Sequence, residues 1–141
     1  VQTIIRSVYN LEPQYDASDY GLMVEEVRRR FRKRSLVILI TAALDELHLA
    51  TISKHMRQIR SPHLVLGAFL RNVPLYERVN AVPDTDVEAF QIAAAAEMVT
   101  SQRTQIAELQ EQGQYAIESL PEDLSADLIS QYLEIKARHL L

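Results

Sequence analysis

Ser35-Leu-Val-Ile-Leu-Ile-Thr-Ala-Ala-Leu-Asp45 follows a basic run, and its five unbroken apolar residues, Leu36 to Ile40, stop at a threonine. A strand wet on one face alternates apolar and polar residues, whereas a strand covered by helices on both sides is apolar throughout. The stretch therefore reads as the central strand of an α/β sheet. One helix later comes the apolar run His63-Leu-Val-Leu-Gly-Ala-Phe-Leu70, and after another helix the shorter Gln114-Tyr-Ala-Ile-Glu-Ser119. Strand, helix, strand, helix, strand is the order of a parallel sheet. The expectation is a three-layer α/β/α, Rossmann-like fold. Its three parallel strands would lie near 36–41, 63–70 and 114–119, with sequential strands adjacent and joined by right-handed crossovers.

The surrounding segments supply the helices. Ile4, Ile5, Val8, Tyr9 and Leu11 fall at helical spacing and Pro13 ends the helix they predict. Asp16 and Ser18 are placed to cap a second helix, whose stripe Tyr20, Met23, Val24, Val27 and Phe31 runs to about Arg34. Six cations, Arg28, Arg29, Arg30, Arg32, Lys33 and Arg34, crowd the C-terminal end of that helix, where positive charge opposes the macrodipole. After the first strand Asp45 can cap a helix carrying Leu47, Ile52, Met56 and Ile59, which Ser61-Pro62 closes. Asn72 to Asp84 reads as a long loop at a strand C-terminal end, a place where function concentrates. Thr85-Asp-Val-Glu88 is a capping box opening the longest helix, which passes Phe90, the alanines 93 to 96, Met98, Ile106 and Leu109 before Gly113. Ser119-Leu-Pro-Glu122 repeats the pattern ahead of a last helix with Leu124, Leu128, Tyr132 and Ile135 on one side.

A chain of 141 residues is the size of one domain, and it reads as a single domain or half-domain over 1–141. No apolar run approaches the ~20 residues that span a bilayer. The absence of cysteine removes disulfides, thiol nucleophiles and thiolate metal sites. A net charge of −4 argues against a protein that coats nucleic acid. The chain starts at Val1 without a signal-type segment, and is read as a piece of something longer.

The segments Ser35 to Asp45, His63-Leu-Val-Leu66 and Tyr132-Leu-Glu-Ile-Lys-Ala-Arg138 together resemble the C-terminal half of the bacterial domain-of-unknown-function family fifty-eight. The helix start Ser18-Asp19-Tyr20 and the turn Pro121-Glu122-Asp123-Leu124 extend the likeness over nearly the whole chain. That family is similar to the von Willebrand factor A fold. The resemblance implies a six-stranded, mostly parallel sheet, of which this chain would hold the fourth, fifth and sixth strands. It implies as partner a MoxR-type AAA+ ATPase, with the parent on the cytoplasmic side and anchored to a membrane through segments upstream of Val1. Factor A domains often hold a divalent metal through an Asp-x-Ser-x-Ser loop, a threonine and an aspartate after the fourth strand. Here Thr41 stands where the last of these loops begins, but Ala42 occupies the carboxylate's place, so the position is degenerate and no metal or other cofactor is expected. Asp16-Ala-Ser-Asp-Tyr20 is superficially like the metal loop, yet no apolar strand precedes it, and a helix cap explains it.

Catalytic signals are sparse. The three glycines, Gly21, Gly67 and Gly113, are too scattered for a phosphate loop. His48 and His55 lie seven apart, unlike the i, i+4 spacing of helical metal pairs, and His63 and His139 show no nucleophile or base beside them. The arginine run can bind phosphate or an acidic protein, although a solvated helix end explains it as well. The reading favoured is a non-enzymatic protein–protein interaction module that forms a homodimer, because in half of a factor A-like domain Leu36 to Ile40 would be an uncovered apolar edge strand. It binds no nucleic acid, and Arg28, Arg29, Arg30, Arg32, Lys33 and Arg34 are its candidate contact residues. The alternative is an α/β enzyme or a phosphate or metal ligand binder, using the loops at the strand C-terminal ends near Thr41, Asn72 to Asp84 and Ser119.

Overall fold

Three parallel strands, β1 (Leu36–Thr41), β2 (Leu64–Leu70) and β3 (Tyr115–Ser119), form one sheet in the order β1-β2-β3. The computed structural model describes residues 18–42 and 46–140, with Arg6, Tyr9 and Glu12 besides. The expected first helix and the caps at Asp16 and Asp45 lie outside the described residues. Among the described residues five helices surround the strands: α1 (Tyr20–Arg30), α2 (Glu46–Ile59), α3 (Val73–Val79), α4 (Asp86–Glu111) and α5 (Leu124–Ala137). The α/β class, the parallel pairing and the adjacency of sequential strands are as the apolar runs implied.

The register pairs Val37 with Val65, Leu39 with Gly67 and Thr41 with Phe69, so these residues share one face of the sheet. On it Val24 of α1, Leu49, Ile52, Met56 and Ile59 of α2, and Ile106 and Leu109 of α4 close over Val65, Phe69 and Ala116. Gly67 lets the two layers close tightly, because a Cβ there would lie 3.0 Å from both Met56 Cε and Phe69 Cε2, which would have to give way. The opposite face carries Leu66 and Ala68, both fully buried, beneath α5, whose Ile135 is buried as well. Alternation along β2 thus feeds two cores, and β2 is buried from Val65 to Phe69.

The central strand is therefore β2, as the adjacency of sequential strands implied, and not β1, as its unbroken apolar run suggested. β1 lies at the sheet edge, and α5 touches β2 and β3 but not β1. Its residues Ile38 and Ile40 are 41% and 48% exposed, so the apolar run is covered on one face only.

Local chemistry explains the other departures. Asp19, rather than Ser18, caps α1, its Oδ1 accepting from the Leu22 amide at 2.9 Å. α1 stops at Arg30, and Phe31 in an extended C-cap conformation swings off the stripe to 53% exposure. The expected loop after β2 contains α3, because Asn72 Oδ1 accepts from the Leu75 amide at 3.2 Å and Pro74 suits a first helical turn. Leu47, expected on the inner stripe of α2, is exposed. Thr85 does cap α4, accepting from the Glu88 amide at 3.2 Å, while Glu88 reaches back to the Asp84 amide at 2.8 Å. Gly113, at φ 72°, ends it in a Schellman turn, with the Gln114 amide on Leu109 O and its own amide on Gln110 O. Ser119 caps nothing. Its hydroxyl donates to Asp127 at 2.6 Å and ties β3 to α5, whose N-cap Asp123 makes no side-chain cap.

Candidate functional site

The C-terminal ends of parallel strands are the usual ligand crevice of an α/β sheet, and here side chains from four elements meet there. Arg71, just after β2, reaches Glu118 of β3 with Nη2 at 3.2 Å from Oε2. The Tyr76 hydroxyl of α3 donates to the other oxygen of the same carboxylate. The guanidinium carbons of Arg71 and of Arg103, from α4, stand 4.8 and 5.2 Å from the Tyr76 ring centroid. Burial, then the hydrogen bond and charge of Glu118, push the Tyr76 phenol above its ordinary range, while Arg103 pulls it back. Opposite charges and ring faces are thereby matched, so the cluster locks α3 and α4 to the sheet. Sequence reading missed it because residues 71, 76, 103 and 118 come from four elements with no local motif.

Thr41 ends β1 half-buried beside Phe69, and Ala42 is exposed. No group of three or more metal-ligating side chains occurs among the described residues. His55 Nδ1 is bound to the Thr51 carbonyl at 2.8 Å and its ring lies 5.9 Å from that of Tyr20, a contact between α2 and α1. His63 is buried immediately before β2, and His139 sits at φ 53° after α5.

The six candidate cations divide into two sets. Arg28 Nη2 donates to the Gln58 carbonyl at 2.6 Å, stapling α1 to the end of α2. Arg29 and Arg30 both hold Glu26, at 2.8 and 2.6 Å, and their hydrogen bonds draw its carboxyl below the usual range. Arg32, Lys33 and Arg34 lie beyond the helix in the exposed segment that enters β1. The run is thus no single patch: three members fasten α1, and three flank the edge strand.

Comparison with family models, with curated proteins and with solved structures finds no match. What remains is the molecule's own surface, and its most unusual feature is β1. A ladder edge with no strand partner among the described residues coincides there with two exposed isoleucines, and no charged side chain lies between Leu36 and Thr41. Among the described residues no helix is long and apolar enough to cross a membrane.

Proposed function

We propose that the chain is a non-enzymatic protein–protein interaction module whose docking element is the free edge and bare face of β1. The observation that carries this reading is the exposure of Ile38 and Ile40 on an edge strand. An unblocked apolar edge is a template for another strand, and natural proteins pair or cover it. The occupant proposed is a second copy. In sequence, β1 is preceded by Arg32-Lys33-Arg34 and followed by Asp45-Glu46. Antiparallel pairing of two β1 strands about a twofold axis sets the basic end of one against the acidic end of the other. It also joins two three-stranded sheets into one of six strands. The likeness to family fifty-eight adds a MoxR-type AAA+ ATPase as heterologous partner and a parent protein on the cytoplasmic side of a membrane.

Sedimentation at micromolar concentration tests the self-pairing. The expected result is a dimer that Ile38→Lys converts to monomer, with an interface above ~1,000 Å² in total. A clean 16.1 kDa monomer whose 36–41 amides exchange slowly would sink the reading, since the edge would then be covered from within.

A further inference from the structure

A cavity of about 230 Å³ opens at the N-terminal ends of β2 and β3, opposite the Tyr76 cluster. Its wall includes His63 and Gln114, the residues just before the two strands, and Arg34, Arg60 and Tyr115 stand around it. His63 is 2% exposed and Gln114 8%. Neither ring nitrogen of His63 has a hydrogen-bond partner, nor does Gln114 Oε1, while Gln114 Nε2 is spent on Ser53 Oγ at 3.4 Å. Arg34 and Arg60 are exposed and form no ion pair among the described residues. Gly113, whose φ of 72° suits glycine, forms part of the rim beside Arg60.

An unsatisfied buried polar group costs ~1–3 kcal/mol, and folded proteins leave few of them. Two such side chains lie in one cavity wall that also carries two guanidinium groups without an ion pair among the described residues, a combination that suits an anion. We propose that this cavity binds a phosphate group. Its oxygens suit the planar donor forks of Arg34 and Arg60 and one N–H of His63. A P–OH supplies the donor that Gln114 Oε1 lacks. The volume lies below the ~300–1,000 Å³ of sites that engulf drug-sized ligands, so the ligand is inorganic phosphate or the terminal phosphate of a small phosphomonoester. The unpartnered atoms are themselves shielded from bulk solvent, so the imidazole and the amide must turn toward the ligand. Binding is therefore visible at His63 as well as at the arginines. This site shares Arg34 with the basic flank of β1, but its test reads phosphate binding and not assembly.

The test is a titration of the folded chain with inorganic phosphate at constant ionic strength, with chloride as the balancing anion, followed by nitrogen–proton NMR. The expected result is saturable shifts of the Leu64, Gln114 and Tyr115 amides and of the His63 ring nitrogens. Arg60→Ala should weaken binding about tenfold, whereas Lys33→Ala, which removes a neighbouring cation outside the cavity, should leave it within about twofold. Glycerol phosphate binding more tightly than inorganic phosphate assigns the site to phosphomonoesters, and the reverse order assigns it to the free ion. Unsaturable shifts, or equal losses in the Arg60 and Lys33 variants, reduce the site to general electrostatics and overturn the proposal.

Discussion

The two faces of the sheet draw on similar apolar residues and meet different surroundings. Val37 and Leu39 point toward α1, α2 and α4, and pack on a core that includes Val65 and Phe69. On the other face α5 seals Leu66 and Ala68 but stops short of β1, where Ile38 and Ile40 remain open. Leu66 pairs with Ile38 across the β1–β2 ladder and is nonetheless fully buried. The difference is supplied by the reach of one helix rather than by the strands, which teaches that apolar sequence fixes a strand's capacity for burial and not its burial.

The largest effects should come where burial is complete, on either face. Phe69→Ala is expected to cost ~3–5 kcal/mol and Leu66→Ala ~2–5 kcal/mol, as both side chains are fully buried. Urea denaturation followed by circular dichroism measures both. A Leu66→Ala loss far below that of Phe69→Ala would mean that the α5 face is a loose cover rather than a second core.

The Tyr76 cluster lies between these extremes, because it is only partly buried. Tyr76→Phe removes a hydrogen bond to a carboxylate and should cost ~1–3 kcal/mol at neutral pH. The phenol's proton is held more tightly in the folded chain than in the unfolded one, by burial first and by Glu118 second. Its contribution is therefore fully present below the unfolded value near pH ~10 and is lost as the pH rises through the higher folded value. The gap between wild type and Tyr76→Phe should then narrow in strongly alkaline urea titrations. A gap that stays constant across that range would show that Glu118 does not hold the phenolic proton.

What the sequence made legible was periodic or local. The apolar runs placed three strands to within a residue or so, and Thr85-Asp-Val-Glu88 and Gly113 placed both ends of α4. What it hid was set by distant parts of the chain. The bare face of β1 depends on the reach of α5, the short α3 on one asparagine cap, and the Tyr76 cluster and the phosphate-sized cavity on residues more than 40 positions apart. His63 illustrates the limit, since its place at the head of a strand says nothing of its burial, which follows from neighbours that the local sequence does not reveal.

The smallest expected effect is also the one that most sharpens the comparison of faces. Ile38 sits across the ladder from Leu66 but retains 41% of its surface in water, so truncation removes only part of a buried side chain's worth. In dilute solution Ile38→Ala should therefore cost less than ~1 kcal/mol, against several for Leu66→Ala. If β1 edges pair, the wild type gains stability with protein concentration by mass action, while the variant gains less because its docking face is smaller. The urea midpoints of the two should diverge as concentration rises from the low to the high micromolar range. A large, concentration-independent loss for Ile38→Ala would mean that β1 is already covered within one chain. The difference between the two faces would then vanish, and with it the reason for a partner on that edge.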